Sequence, residues 1–222
     1  MIELFQLIDA LQSLEMSHAC KANKMISAFN GILYHADLLA LAVLNRYLDL
    51  LQGFCLLMRV ENYLAAAPLV RLQLDNLLRF NALWLVSDPH AFAMEVMKGT
   101  PIRELKCKQG KKMSDNFLVK ELQKSKPWVE NVYKQSSGFV HLSEKHILSL
   151  LNDEIESGDK IEISIGRSGE KVPIEMKIQA ISVFNEITNE ILVAIERWII
   201  DKQKPDFLAN LKESRYPANV KV

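Results

Sequence analysis

The sequence predicts an all-α fold, a helical bundle of long and short helices with one small β-hairpin near residues 161–174. Three observations lead there. Apolar residues recur at helical rather than alternating spacing through most of the stretch from Ile2 to Val86. A single proline, Pro68, interrupts that stretch. Gly, Pro, Asp and Ser punctuation becomes dense only afterwards.

Taken in order, Leu4, Leu7, Ile8, Leu11 and Leu14 form a first stripe, and Ile26, Phe29, Leu33 and Ala36 begin a second that continues through Leu44, Leu48 and Leu51. This spacing predicts two or three long helices. The second ends at Gly53 or at Glu61-Asn62, and the third opens near Pro68, whose missing N–H is harmless in a first turn. Apolar residues on several sides of these two helices place them at the centre of the bundle. Asp88-Pro89 and Thr100-Pro101 each set a capping side chain before a proline, so short helices start near residues 89 and 101, and Ser114 starts another. Pro127 opens a segment running to His141, and Ser143 is placed to cap the helix after it. Alternation at Ile161, Ile163 and Ile165, a turn at Gly166 to Gly169, and a return through Val172 and Ile174 give the hairpin. Two such strands must lie on the helices to be stable. A last long helix, from Pro173 or Ile174 to Lys202, presents Ile178, Ile181, Phe184, Ile191, Ile195 and Trp198 on one side. No linker separates these blocks. Residues 1–204 therefore read as one helical domain and the polar residues 205–222 as a mobile C-terminal tail.

At 222 residues and 49% hydrophobic, the chain can bury one large core. Its 27 basic and 27 acidic residues cancel, which excludes the whole-molecule positive field of a dedicated nucleic-acid binder and leaves only local patches. One such patch is clear: Lys98 to Lys126 holds nine basic residues against three acidic ones. Cys20, Cys55 and Cys107 are widely spaced and lack any CxxC or Cys/His grouping, so no disulfide-linked partner and no structural metal is expected. Cys20 and Cys55 read as small apolar fillers. The opening Met1-Ile2-Glu3 has no basic region ahead of an apolar run, which together with the cysteines predicts a cytoplasmic chain. Leu38 to Val60 comes nearest to a membrane span, but Asn45, Arg46, Asp49 and Gln52 interrupt it short of the ~20 apolar residues required.

Two polar rows stand out. Arg71, Asp75 and Arg79 share one face of a nearly all-apolar helix, because residues four apart advance only about 40°. Asp75 can hold either guanidinium while the other binds an anion bidentately; the same three also suit a structural ion-pair network. Tyr133, Ser137 and His141 repeat the spacing. A hydroxyl beside an imidazole suits a nucleophile and its base, while a hydrogen-bonded row that fixes helix register is the other reading. Neither a GxSxG elbow nor an oxyanion hole accompanies the row. His141 and His146 lie five apart with Glu144 between them, which fails the HExxH spacing. No metal and no cofactor is expected. Lys106, Lys108, Lys111 and Lys112, within RELKCKQGKK, can meet nucleic-acid phosphates from a loop that has no aromatic residue for stacking bases.

The order of a long helical hairpin, then LVRLQLDNLLRFNALWLVSDP, a short basic insert and YKQSSGFVHLSEKH resembles a group of uncharacterised bacterial all-helical proteins distantly similar to the HEPN superfamily. The resemblance covers Asp37 to Leu150. It implies a helical bundle, frequent dimerisation and, in active members, metal-independent RNA cleavage by an R-x4-6-H motif. This chain departs from that motif. The positions that would hold the arginine are Lys134, Gln135 and Ser136 before His141, and Phe139, Val140 and His141 before His146. Lysine lacks the planar bidentate fork of arginine.

These readings predict a binding or regulatory protein with a polar pocket where the Arg71 helix meets the segment ending at His141. A homodimer formed through apolar helix surface is expected, with RNA or a nucleotide as ligand. The sequence holds no complete catalytic motif, and two enzymatic alternatives stay open. One is a HEPN-like ribonuclease in which Arg71 or Arg79 supplies from another helix the guanidinium missing beside His141. The other is a hydrolase using Ser137.

Overall fold

The first apolar stripe forms α1 (Ile2–Gln12), which buries Leu4, Ile8 and Leu11. A computed structural model describes residues 2–28, 31–141, 143–148, 166, 168–204 and 216–217. Within it the second stripe is divided rather than continuous, into α2 (Glu15–Ser27), β1 (Ile32–Leu33) and α3 (His35–Arg59). Gly31 takes a φ of 81°, outside the helical region, and so breaks the run. At the restart the Tyr34 N–H donates to the Asp37 carboxylate at 2.9 Å, satisfying one of the donors a helix N-terminus exposes.

Of the two ends foreseen for this helix, Glu61-Asn62 is the one used. Glu61 adopts φ 56°, the Asn62 N–H bonds the Leu57 carbonyl at 2.8 Å, and the chain reverses into α4 (Tyr63–Asn81). Pro68 therefore sits in the second turn of α4 and not the first, where its ring removes the bond to the Leu64 carbonyl. The 3-10 turn Ala82–Trp84 follows. α5 (Pro89–Met97) starts as its caps predict, with the Asp88 carboxylate accepting from the N–H groups of His90 and Ala91 at 2.9 and 3.0 Å. Thr100-Pro101 starts only a 3-10 turn, Ile102–Glu104, because Leu105 is extended and its carbonyl accepts from Met113 N–H at 3.0 Å to close a basic loop. Ser114 caps α6 (Asp115–Leu122), and α7 (Trp128–Val140), α8 (Glu144–Leu148) and α9 (Ile174–Asp201) follow.

The return arm of the expected hairpin is not a strand. Ser168–Lys171 is a 3-10 turn and Ile174 opens α9. Gly169 explains the choice: a Cβ there would lie 1.5 Å from the Glu61 carbonyl oxygen, so this segment docks by its backbone on the α3–α4 reversal. The outgoing arm, residues 161–165, lies outside the described residues. The residues expected as a tail also fall there, except for β2 (Tyr216–Pro217), which pairs antiparallel with β1. Cys20 is exposed rather than a core filler, whereas Cys55 and Cys107 are buried.

α4 is central and packs against α3, α9, α7 and α6, while α1 and α2 cover α3 and α9, and α5 covers α3. Phe54 of α3 stacks on Phe184 of α9 with ring centroids 4.4 Å apart, and buried apolar residues from Leu4 to Ile199 form one cluster. α3 and α9 are long and apolar enough, by length and composition, to cross a membrane; in this fold both line the shared core.

Candidate functional site

α3 and α4 run antiparallel from the reversal at Glu61, which brings Arg46 of α3 level with Asp75 and Asn76 of α4. Arg46 Nη1 donates to Asn76 Oδ1 at 2.6 Å and to Asp75 Oδ2 at 3.4 Å. On the same face Arg79 Nε donates to Asp75 Oδ1 at 3.0 Å. The first residue of α6, Asp115, then joins the row. It accepts from Arg79 Nη2 at 2.5 Å and from Arg71 Nη2 at 3.3 Å. The Arg71 guanidinium lies over the Tyr133 ring of α7, 4.1 Å from its centroid. Arg71, Asp75 and Arg79 thus belong to one network, as the stripe predicts. Asp75, however, pairs with Arg79 and Arg46, and Arg71 pairs with Asp115. Three arginines and two aspartates form a corner with one surplus positive charge.

The second row meets the first only at Tyr133. α7 runs antiparallel to α4, since Tyr63 contacts Phe139 edge to face at 5.7 Å while Arg71 meets Tyr133. His141 lies eight residues beyond Tyr133, about 12 Å along the helix axis and away from both Arg71 and Arg79. It is exposed, with extended backbone just past the end of α7. Ser137 donates its hydroxyl proton to the Tyr133 carbonyl at 2.6 Å, and no hydrogen bond joins it to His141 among the described residues. The structure therefore does not assemble an arginine–histidine pair at His141, nor a Ser137–His141 nucleophile and base. Among the described residues no group of His, Cys, Asp or Glu could hold a metal ion.

A cleft of about 70 Å³ does open between α4 and α7, and α9 closes its third side. Its walls are mainly apolar, from Tyr63, Val70, Val132, Phe139, Met176 and Val183, with Gln135 and Ser136 of α7 and Gln179 of α9 the polar contributors. The cleft lies between the helices where a polar pocket is expected, but it is mainly apolar, and neither Arg71 nor His141 lines it.

The basic loop adjoins the arginine corner through the chain itself, because Lys112 precedes Asp115 by three residues. Lys106 and Lys112 form an antiparallel bridge, Cys107 N–H bonds the Lys111 carbonyl at 2.9 Å, and Gly110 turns the tip with φ 77°. A bond of 2.9 Å from Lys108 N–H to the Leu85 carbonyl ties the loop to the end of α4's 3-10 extension. Lys106, Lys108, Lys111 and Lys112 are all exposed.

A second charged cluster escaped the sequence reading. Asp37 is fully buried and accepts from Trp198 Nε1 at 2.8 Å, from Tyr34 N–H at 2.9 Å and from Lys202 Nζ at 2.9 Å. Lys202 also donates to the Met25 carbonyl at 3.1 Å. Burial lowers the Lys202 pKa against the opposing pull of Asp37, and burial pushes neighbouring His90 down to about 4. This cluster ties α2, α3 and α9 together through contacts that are all internal, which is a structural role. Its only sequence signal was an acid at the start of one apolar helix and a lysine at the end of another.

Comparison of the chain with protein-family models, with curated proteins and with solved structures returned no match.

Proposed function

We propose that the protein binds RNA without cleaving it, gripping the phosphate backbone with the 106–112 loop and the arginine corner beside it. The observation that carries this reading is the loop. Four exposed lysines sit on a backbone-bridged turn, and none forms an ion pair among the described residues. Three other exposed lysines are, by contrast, already neutralised: Lys98 by Glu95, Lys124 by Glu121 and Lys134 by Glu130. Unpaired cations held on a rigid support favour release of counterions from a polyanion. A nucleic acid fits better than an acidic peptide because the adjoining guanidiniums match phosphate oxygens in a planar fork. The resemblance to an RNA-acting superfamily selects RNA over DNA. What speaks against cleavage is the separation of His141 from Arg71 and the engagement of the Ser137 hydroxyl within its own helix.

The test is fluorescence anisotropy with a labelled single-stranded oligoribonucleotide across a salt series. Replacing Lys106, Lys108, Lys111 and Lys112 together by Ala should weaken binding at least about tenfold and reduce the slope of log K against log salt by about 3, at roughly 0.7 per contact for a single strand. Wild-type binding that is insensitive to salt, or unchanged in the four-lysine variant, would reject the reading.

A further inference from the structure

The three guanidiniums of the corner are not equivalent. Arg71, with 12% of its side chain exposed, donates through Nη2 to Asp115 and is covered by the Tyr133 ring, and Arg79, at 24%, donates through Nε to Asp75 and through Nη2 to Asp115. Arg46 is 43% exposed, and it engages Asp75 and Asn76 through Nη1 alone. Its Nε and Nη2 donors make no hydrogen bond among the described residues. Of the three, it is the most exposed guanidinium and the one best placed to turn a pair of donors to a ligand.

Behind Arg46 runs a line of buried polar side chains that an apolar core would not need. Asn76, which accepts from Arg46, donates through Nδ2 to Gln73 Oε1 at 3.1 Å. Gln73 donates through Nε2 to Thr188 Oγ1 at 3.4 Å, and Thr188 donates its hydroxyl proton to the Phe184 carbonyl at 2.7 Å. Gln73, Asn76 and Thr188 are at most 2% exposed. The donor and acceptor senses agree at every step, so the line has one polarity. It starts at a backbone carbonyl of α9, crosses α4 and ends with the Asn76 oxygen aimed at Arg46. Buried amides are costly unless satisfied, and here each one fixes the orientation of the next.

Resting on the RNA-binding reading, we infer that Arg46 is the phosphate anchor of this site, that it takes an internal phosphodiester, and that Asn76, Gln73 and Thr188 are its positioning residues. The charge of the corner selects the ligand class. Three arginines against Asp75 and Asp115 leave one positive charge, which a phosphodiester monoanion neutralises. A terminal phosphate monoester carries about −1.5 to −2 at neutral pH and meets two nearby carboxylates with charge unbalanced.

The experiment uses the full chain, the labelled oligoribonucleotide, and the NMR signal of the Arg46 Nε–H. Arg46→Ala should weaken binding about tenfold and lower the salt slope by about 0.7, and Arg46→Lys should restore only part of the affinity. Gln73→Leu, or the near-isosteric Thr188→Val if that variant folds poorly, should weaken binding several-fold. Either should also broaden or shift the Arg46 Nε–H signal before any RNA is added, which loss of packing alone would not do. A dinucleoside monophosphate, whose only phosphate is a diester, should compete better than a nucleoside monophosphate or inorganic phosphate. If Arg46→Ala binds as the wild type does while the four-lysine variant is impaired, the RNA reading stands and the Arg46 assignment falls. If Gln73→Leu and Thr188→Val leave the Arg46 signal unmoved, the positioning role falls. Better competition by the monoester overturns the diester assignment, and absence of wild-type RNA binding removes both the reading and the inference.

Discussion

Asp37 and Asp75 are both aspartates on the central α3–α4 hairpin, both paired with cations, yet they belong to opposite kinds of structure. Asp37 and Lys202 have side chains 0% and 2% exposed, and each of their contacts is internal. Asp75 is 23% exposed and shares its oxygens with Arg79 and Arg46, the latter reaching out to solvent. Residue chemistry is nearly the same in the two places. Burial decides what it does: a closed pair holds helices together, and an open one leaves donors available to a ligand. The comparison also separates their energetics, because removing one member of a buried pair strands the other charge, whereas water takes over around a partly exposed one.

The largest effect expected follows directly. Asp37→Ala should cost about 3–5 kcal/mol, since Lys202 loses its counter-charge in a site that water does not reach. Asp75→Ala should cost roughly 1 kcal/mol, in the range of partly exposed pairs. Urea denaturation of both variants measures the difference. Equal losses would mean that burial does not divide the two clusters as argued.

A somewhat smaller effect is expected from pH, and it too distinguishes interior from corner. His18 is 1% exposed, its ring stacks on Tyr47 at 3.8 Å, and its Nδ1–H donates to the Leu14 carbonyl at 2.5 Å. Burial pushes its pKa from 6.5 down to about 4. In that window the unfolded chain binds a proton that the folded one refuses, so stability rises with pH there and is lost as pH falls from 6.5 towards 4. The loss for this one group is about 3 kcal/mol, and His90 acts in the same direction. Thermal or urea unfolding across the window should show the slope, and His18→Gln should flatten part of it. Stability that stays level between those pH values would contradict a neutral buried imidazole.

How far the sequence disclosed this arrangement depended on the range of each interaction. Periodicity and local caps gave α1, α5, α6, α7 and α9 because the signals lie within a few residues of the element they define. The division of the second stripe at Gly31 does not show in the apolar pattern, since Leu33 and Ala36 continue the spacing across it. Pro68 misplaced the start of α4 because a proline tolerated in a second turn looks the same in sequence as one opening a helix. Within the site, the shared face of Arg71, Asp75 and Arg79 was legible, being an i,i+4 relation. Asp115 was not, because it arrives from another helix. Arg46 showed only as an interruption of an apolar run, and Gln73, Asn76 and Thr188 carried no signal at all, because a polar residue on a helix ordinarily faces water.

The smallest effect concerns how far the two polar rows meet, and it is decided by additivity. Arg71 sits over the Tyr133 ring, so a double-mutant cycle between Arg71→Ala and Tyr133→Leu should give a coupling of about 0.5–1 kcal/mol, the scale of a partly desolvated cation–π contact. The same cycle between Arg71→Ala and His141→Ala should be additive within about 0.5 kcal/mol, because antiparallel packing carries His141 away from Arg71 by more than two turns of α7. Urea unfolding of the four single and double variants reads both. Additivity at Tyr133 would reduce the ring contact to mere proximity and detach α7 from the arginine corner. Coupling at His141 equal to that at Tyr133 would mean that the histidine reaches the corner in solution, and the arginine–histidine constellation that a ribonuclease needs would then be assembled after all.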